Sequence, residues 1–467
     1  MRRQLAYYLF PLAILCLSLQ ACFVARKYDR PGLDMVDSLY RTDLLPEDSV
    51  SMATISWRSI FTDTLLSSYI EQGLENNLDI RIALQRLIAA EAYMKQGKAA
   101  YFPSLEGRAS LTHQELSGNS QFGSFFDGSI QQFEFTGSFS WEADIWGKIR
   151  SSRRASLATY LQQQAVHKAV KTQLVAQIAS SYYQLLALDE QQAITRQTIE
   201  NRERSLETIK ALKEAGNVTQ VAVDQAAAQV FNSEALLVDL EVDIFRLENT
   251  LGYLLGMPGG KFARGSLDNQ QSPKEPTLGL PAMLLRNRPD VIASEYSLIN
   301  AFELTNIARS DFYPSFMITG TGGFQSLEFD QWFDAGSLFA NLVGSLTQPL
   351  FNRRQIRTQY EVARSQQEES LLTFKKTLLL AGQEVSNALY EYQAETRKYT
   401  FRQQEVEALR RAEIYSEALL KNGFGTYLDL LTARRSALNA ELSAIDNKEQ
   451  QLQAIVELYR ALGGGWQ

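Results

Sequence analysis

Four short stretches of the chain alternate between apolar and polar side chains. In residues 132–142, QFEFTGSFSWE, one side of an extended chain carries the apolar group Phe133, Phe135, Gly137, Phe139 and Trp141. Residues 104–114, 315–325 and 337–347 alternate in the same way. A period of two with one apolar face predicts β-strands, and about ten residues are enough for a tilted strand to cross a bilayer.

Two much longer stretches, 148–214 and 353–421, place apolar residues mostly three or four positions apart, which predicts helices. A continuous helix over 148–214 would be roughly 100 Å long. Such a helix cannot bury itself against a compact core, so it needs partner helices beside it, as in a coiled coil. Shorter helices, predicted at 219–255 and 426–461, return from the ends of the long ones.

The same order of elements occurs twice along the chain. Asp79 of NNLDI corresponds to Asp290 of NRPDV, and Leu255 corresponds to Leu462. Each copy starts with a predicted helix, at about 61–100 or 289–311, and continues with two strands and a long helical hairpin. The pattern therefore predicts an internal duplication.

This duplication gives a predicted division of the chain into five parts. They are a signal peptide at 1–21, a lipidated N-terminal segment at 22–60, a first repeat at 61–257, a linker at 258–288 and a second repeat at 289–467. The linker is inferred from its prolines and glycines. The β-hairpins are predicted at 104–142 in the first repeat and at 315–347 in the second.

The first 22 residues have the composition of an exported protein's leader. Arg2 and Arg3 are followed by an apolar run that is short for a membrane-spanning helix, which favours a signal peptide. The run ends in Leu19-Gln20-Ala21-Cys22, which is similar to a bacterial lipobox and predicts a lipid on Cys22. The alternative is an ordinary signal peptide with a coincidental cysteine.

Beyond the leader, no stretch approaches 18 consecutive apolar residues, so any further membrane contact would come from the strands. Four strands cannot close a barrel, and an open sheet edge is not stable within lipid. If the strands enter a membrane, several chains must combine them, with the aromatic faces toward lipid and the polar faces toward water. The alternative is a soluble sheet whose apolar face covers a core.

Composition excludes several other classes of protein. The 467 residues carry a net charge of −7, which offers no basic face for nucleic acid. Only two Cys and two His are present, without the spacing of a zinc site, so neither a metal nor a cofactor is predicted. An envelope hydrolase is a further alternative, but His113 and His167 have no nucleophile motif near them.

Motifs along the whole mature chain carry a family resemblance. They are LPAMLLRNRPDV at 280–291, WRSIFTDTLL at 57–66, NNLDIRIA at 76–83, YFPSLEG at 101–107, WEADIWGKIR at 141–150 and LGGGW at 462–466. In this order, together with the duplication, the chain resembles the TolC-type outer membrane factors, in particular the lipoprotein efflux channels of the NodT group.

The resemblance implies an α+β membrane channel formed by a homotrimer. Four strands from each chain would form one 12-stranded transmembrane β-barrel, and the long helices would form a coiled-coil barrel through the periplasm. It further implies an outer membrane exit duct of a tripartite efflux pump for small toxic compounds. Its partners would be a periplasmic adaptor protein and an inner membrane transporter, and it would have no cofactor and no catalytic residue.

The resemblance also suggests residues for a periplasmic gate and for contact with the adaptor. The adaptor-facing tips would be the two helical turns, with Gly216, Asn217, Gly423, Phe424 and Gly425. Asp429 matches the first acid of a run that is often V-D-V-L-D-A in the family, whereas Thr432 and Ala222 stand where other acids could lie. Three copies of Asp429 around an opening would repel each other and attract cations. Asp224 and Arg435 are the further gate candidates.

Two alternative functions stay open at this point. One keeps the fold and changes the cargo, giving a duct for the secretion of proteins or peptides. The other is a non-conducting, lipid-anchored coiled-coil scaffold of the envelope, for which the amphipathic strands would have no use.

Overall fold

The structure is a computed structural model, and it describes residues 24–33, 39, 51–117, 119–121, 124, 129–270 and 283–466. The strands are β1 (Ser104–Glu115), β2 (Ser129–Glu142), β3 (Ser315–Ser326) and β4 (Leu338–Thr347). The helices are α1 (Trp57–Ile60), α2 (Thr64–Asn76), α3 (Leu78–Ala99), α4 (Lys148–Glu214), α5 (Gln220–Leu254), α6 (Leu284–Asn287), α7 (Pro289–Ser310), α8 (Gln355–Lys421) and α9 (Tyr427–Leu462). The predicted signal peptide and Cys22 lie outside the described residues.

The four strands form one antiparallel sheet in the order β1-β2-β3-β4. β2 and β3, which come from different repeats, are paired from Phe133 opposite Ser326 to Glu142 opposite Met317. The sheet therefore joins the two repeats at its centre. β1 and β4 are outermost, and each has one edge that is paired with no strand in the described part of the chain.

The register brings most of the apolar residues of the four strands onto one face. One row across the sheet consists of Leu105, Phe139, Gly320 and Leu342. The next row, one residue along each strand, consists of Glu106, Ser138, Thr321 and Asn341. Because residues opposite each other in neighbouring strands share a face, the predicted alternation is confirmed and extends across the whole sheet.

Most of the apolar face is not covered by the described part of the chain. Leu105 is 80% exposed and Leu342 is 71% exposed. Phe139 lies over Gly320, where an added Cβ would be only 2.1 Å from the ring, so this glycine allows the aromatic ring to lie flat on the sheet. A soluble sheet packed on its own core, the alternative left open by the sequence, is therefore wrong for the described residues.

The long helices agree with their predictions. α4 and α8 contain 67 residues each, and the second starts at Gln355, slightly later than predicted. Each turns through a glycine with positive φ, Gly216 (+74°) or Gly423 (+77°), which residues with a Cβ adopt at a cost. Among the described residues, no helix combines the length and the apolar composition that would let it cross a membrane.

The predicted helix 61–100 is interrupted, which the apolar pattern did not indicate. α2 ends just before Asn77 and α3 begins just after it. The Asn77 backbone is extended there (ψ 132°), and its Oδ1 accepts hydrogen bonds from the N–H groups of Asp79 (2.9 Å) and Ile80 (3.2 Å). Asn77 thus ends one helix and caps the next, an arrangement for which Asn is well suited.

Arg288 stands at the position of the second repeat that is equivalent to Asn77, since each comes two residues before the matched Asp79 or Asp290. Asn77 Nδ2 donates to the carbonyl of Leu254 at 2.9 Å, and Arg288 Nη1 donates to the carbonyl of Ala461 at 3.1 Å. These two acceptors are equivalent as well, because each directly precedes the matched Leu255 or Leu462. An amide in one repeat and a guanidinium in the other therefore bind the last turn of the equivalent returning helix.

The guanidinium adds ion pairs that the amide cannot form. Arg288 Nη2 lies 2.8 Å from Asp290 and 2.7 Å from Glu384, while the Arg288 side chain is only 6% exposed. Arg460 of α9 approaches the same Glu384 at 3.4 Å. The carboxylates compensate for a burial that would otherwise be costly for a charged group.

The chain divides by compactness into two units that differ from the two sequence repeats. One unit consists of residues 88–162 and 294–374 with the described residues up to Pro31, and it contains the sheet. The other consists of 163–293 and 375–467 with the described residues between 32 and 87. Each unit takes corresponding parts of both repeats, and the predicted boundaries of the repeats and of the linker stay a prediction.

Replacing Arg288 with Met is expected to lower the free energy of unfolding by about 3 kcal/mol or more, because Glu384 and the carbonyl of Ala461 lose their donor. Unfolding in guanidinium, followed by circular dichroism in detergent, measures the change. Arg357→Met is the matched control, since its pair with Glu361 (3.2 Å) is exposed and contributes about 0.5 kcal/mol or less. Equal losses in the two variants would contradict this role for Arg288.

Candidate functional site

The five residues predicted to face an adaptor lie in the turns between the long and the returning helices. Gly216 and Asn217 follow α4, and Gly423, Phe424 and Gly425 follow α8. All are exposed except the half-buried Gly425, and Phe424 is 84% exposed. A large apolar side chain is thus presented at the second turn and none at the first.

Asp429 has a structural role that the sequence analysis missed. Its Oδ2 accepts hydrogen bonds from the N–H (3.0 Å) and the hydroxyl (2.6 Å) of Thr426, whose Oγ1 in turn accepts from the Asp429 N–H at 3.2 Å. This is a capping box at the start of α9, and the Thr-x-x-Asp spacing was a readable signal for it. The Thr426 hydroxyl lowers the pKa of Asp429, so the exposed carboxylate stays charged at neutral pH.

The equivalent helix of the first repeat starts differently. Thr219 precedes α5, but its side chain makes no capping hydrogen bond. Asp224 is exposed and accepts a hydrogen bond from Gln220 Nε2 at 2.8 Å, one turn earlier on the same helix. The two tips therefore carry their carboxylates at different heights and with different partners.

In this chain the arginine that links helices near the second tip is Arg434, the neighbour of the predicted Arg435. Arg434 Nη2 donates to Glu417 at 3.1 Å, and its Nε lies 3.4 Å from Glu413, both on α8. Its Nη1 donates to the hydroxyl of Ser205 on α4. The role of Arg435 as a gate residue stays a prediction.

A second arginine, Arg202, links the other pair of helices. It is 7% exposed, and its Nη1 donates to the carbonyl of Gln229 (2.8 Å) and to the hydroxyl of Ser233 (2.6 Å), both on α5. Burial and the nearby charge of Arg434 lower the pKa of Arg202. Together Arg202 and Arg434 connect α4, α5, α8 and α9 close to the candidate gate. Sequence reasoning missed both residues, because their partners are distant in sequence.

The N-terminal segment 24–33 runs along α7 in the opposite direction. Arg26 exchanges two hydrogen bonds with the Asn306 side chain, at 3.2 Å from its N–H and 3.0 Å to its carbonyl. Arg30 forms a two-point ion pair with Glu295 at 2.6 and 2.7 Å.

The segment therefore approaches the start of β3 as the chain is followed back toward its N-terminus. The carbonyl of Val24 accepts a hydrogen bond from Arg309 in the last turn of α7, shortly before β3 begins at Ser315. Two residues before Val24 stands Cys22. The contacts thus fix the position that the chain has when it leaves the described residues.

Metal chemistry finds no support in the described residues, where no group of three or more His, Cys, Asp or Glu side chains is placed to hold a metal ion. His167 lies in α4, and burial lowers its pKa. His113 lies in β1, 3.8 Å from Glu115. The two histidines are in separate elements, so they do not form a common site.

The sequence matches the family of outer membrane efflux proteins over residues 69–257 and 280–464. The chain belongs to this family. The two matched stretches begin and end at equivalent positions of the internal duplication, so each repeat is matched once. The resemblance stated from the motifs is confirmed, and the protein belongs to the bacterial outer membrane.

Relatives of this efflux protein align with nearly its full length. It is 27% identical to the cation efflux system protein CusC of Escherichia coli O157:H7 over 458 residues, which cover 97% of each chain. It is 26% identical to the probable outer membrane lipoprotein SilC of Salmonella typhimurium over 450 residues, which cover 95% of each. A crystal structure of a membrane protein from Pseudomonas aeruginosa has a TM-score of 0.86 at 25% identity and covers 94% of this chain and all of that one.

Replacing Arg434 with Ala is expected to speed hydrogen exchange in the helix segments around Glu413 and Ser205, because α9 loses its link to α8 and α4. Exchange measured by mass spectrometry in detergent tests this. The neighbouring variant Arg435→Ala is the control and should leave exchange in those segments within error of the parent. Equal protection in the parent and in Arg434→Ala would remove Arg434 from this role.

Proposed function

We propose that three copies of this efflux protein form the exit duct of a tripartite pump, through which small toxic compounds leave the periplasm or an inner membrane transporter. Their twelve strands would form one barrel, and their long helices a tunnel below it. The observation that carries the proposal is the open sheet with one exposed apolar face and two unpaired outer edges.

The edges account for the need for several copies. An unpaired peptide group in hydrocarbon costs several kcal/mol, so a four-stranded sheet cannot remain open there. β1 and β4 run in opposite directions, so β4 of one copy can join β1 of the next in an antiparallel pair. The number three rests on the likeness to the TolC-type channels.

The two faces of the sheet fit the two sides of a barrel wall. The exposed apolar face suits lipid, and the polar face, with Glu106, Arg108, Thr136 and Ser138 among its residues, suits a water-filled passage. A non-conducting scaffold would leave this division without a purpose. A duct for proteins or peptides would share the same wall, so it stays an alternative in which only the cargo differs.

Membership of the efflux family supports the proposed export of small compounds and the proposed partners. CusC belongs to a cation efflux system, and the same type of duct would serve this chain, with a periplasmic adaptor contacting the turns around Gly216 and Phe424. An inner membrane transporter would supply the energy, since the duct itself needs no cofactor.

The gate would be formed by the charged tips. Asp429 is exposed and charged, so three copies around an axis would place three negative charges at one level. Such a ring favours cations, and a cation bound between the three carboxylates would offset their repulsion and hold the opening narrow. The links made by Arg202 and Arg434 would hold the helices of each chain together around it.

The membrane anchor would be a lipid on Cys22. The N-terminal segment is held along α7 with Val24 at the last turn of that helix, shortly before β3, and Cys22 precedes Val24 by two residues in the sequence. SilC is a probable outer membrane lipoprotein. Because one acyl chain holds a protein only weakly, the anchor would add to the attachment that the strands provide.

The purified protein is expected to assemble as a trimer and to conduct ions across a planar lipid bilayer. Native mass spectrometry in detergent gives the number of chains, and single-channel recording gives the conductance. Susceptibility to toxic compounds in a host lacking its own duct, supplied with the matching adaptor and transporter, tests the direction of transport. A monomer without conductance would refute the proposal.

Asp429→Ala is expected to enlarge the resting conductance or to weaken block by divalent cations, because the charged ring is removed. The control is Thr426→Ala, which breaks the capping box but keeps the carboxylate, and it should conduct as the parent does. Currents unchanged in Asp429→Ala, or changed equally in both variants, would contradict a gate based on the charge of Asp429.

Cys22→Ser is expected to abolish the incorporation of labelled palmitate by cells that express the protein, since the sulfur that carries the lipid is lost. Cys16→Ser is the matched control, because Cys16 lies within the segment that would be removed, and its label should equal that of the parent. Label retained in Cys22→Ser would show that the lipid, if any, is attached elsewhere.

A further inference from the structure

The connection between β3 and β4, residues 327–337, carries an aromatic group that the proposed function does not use. Phe329, Trp332 and Phe333 of this connection pack on three aromatic residues of the strands, Phe133, Phe135 and Phe324. We call these six residues the aromatic cluster. Phe133 lies 5.4 Å from Phe329 and 5.5 Å from Trp332 between ring centroids, and Trp332 stacks on Phe333 at 5.0 Å.

The aromatic cluster lies on the apolar face of the sheet. Phe135 is paired with Phe324 in the register, and both contact Phe333, at 6.3 and 5.6 Å. The connection therefore bends toward the face that would meet lipid, and away from the face that would line the passage.

Hydrogen bonds within the connection fix this bend. Ser337 Oγ donates to the carbonyl of Gln331 at 2.7 Å, and Gln331 Nε2 donates to Glu328 at 2.5 Å. The Asp334 N–H also donates to the carbonyl of Gln331, at 3.1 Å. The rings are thus held on the sheet by a folded loop with polar residues at its rim.

The aromatic cluster lies at the end of the sheet where β3 connects to β4. The helices that precede β3 and follow β4 join the sheet at its other end. β3 starts shortly after the end of α7, and β4 ends shortly before the start of α8, so both join the helices at the opposite end. In a duct whose helices extend into the periplasm, the cluster is on the outer side of the membrane.

The cluster is packed but still exposed. Phe329 is 69% exposed and Phe333 is 63% exposed, although each contacts other rings. Exposed aromatic rings beside a polar loop rim are the chemistry that suits the boundary between lipid chains and headgroups.

A second copy of the chain is a poor occupant for this surface. The strand residues of the cluster belong to β2 and β3, the two central strands, whereas neighbouring copies would join at the outer edges of β1 and β4. Assembly through the sheet edges would therefore leave the cluster uncovered.

We propose that the aromatic cluster binds the outer leaflet of the membrane at the level of its headgroup boundary, which also keeps the β3–β4 connection away from the mouth of the passage. The proposal rests on the proposed function, in which the sheet enters the membrane. The acyl-chain boundary receives the exposed rings of Phe329 and Phe333, and the lipid headgroups meet the polar rim of the loop.

Single-cysteine variants labelled with an environment-sensitive dye test the proposal in vesicles. They are built on the double variant Cys16→Ser, Cys22→Ser, which leaves the chain without another thiol. Phe333→Cys reports on the cluster. Phe339→Cys, on the polar face opposite Gly323, is the matched control, and Leu342→Cys reports on the apolar face of β4.

The dye at 333 is expected to lose fluorescence with lipids brominated near the headgroup and to resist aqueous iodide. The dye at 339 should respond to iodide instead. Iodide quenching at 333 as strong as at 339, or protection at 333 from both quenchers, would overturn the inference, the second result indicating cover by another chain. If brominated lipids do not quench the dye at residue 342, the sheet does not enter the membrane, and the proposed function itself is refuted.

Trp332→Phe gives an independent measurement without a label. The fraction of intrinsic tryptophan fluorescence lost to brominated lipids should be smaller in this variant than in the parent, because the indole nearest the lipid is removed. Equal quenching in both proteins would overturn the inference.

Discussion

The hydrogen bonding of the sheet edges is the constraint on which the rest of the protein depends. Four strands satisfy one another through three antiparallel pairings, but β1 and β4 each keep one free edge in the described chain. Water can satisfy such an edge and hydrocarbon cannot. The exposed apolar face directs the sheet to hydrocarbon, so a single chain cannot reach a stable state in the membrane alone. Assembly is thus a condition for insertion, and the position of β2 and β3 at the centre makes each chain contribute one continuous panel.

The two long helices, α4 and α8, also depend on neighbouring elements for their stability. A helix of 67 residues has no core of its own, and it is held by neighbours that run beside it. Near the tips these contacts are partly polar. Arg202 and Arg434 each bridge from one helix to others through carbonyl, hydroxyl and carboxylate oxygens. Polar links of this kind separate at a smaller cost than a packed apolar core, since water can replace them, which would suit the opening that is proposed for the tips.

Local periodicity was sufficient to predict the strands, the long helices and the duplication, because each depends on spacing that the sequence displays directly. The break at Asn77 was not predicted, because the apolar pattern continues through it. The break depends on the side-chain amide of Asn77, which caps the next helix. The capping role of Asp429 was readable from Thr426 three residues earlier. Arg202, Arg434 and the rings of the β3–β4 connection could not be assigned, because their partners are distant in sequence and depend on how elements pack. Cys22 was inferred from its motif alone.

The unequal pair Asn77 and Arg288 has a consequence for the symmetry of the proposed assembly. Two similar repeats in each of three chains would give six nearly equivalent positions around the axis. A neutral amide and a charged guanidinium with its carboxylates would alternate at these positions, which reduces an approximate sixfold arrangement to a strict threefold one. The two halves of the polypeptide are therefore no longer interchangeable: a ring built from six copies of either half would repeat a single chemistry, whereas the duplicated chain can specialise neighbouring positions separately.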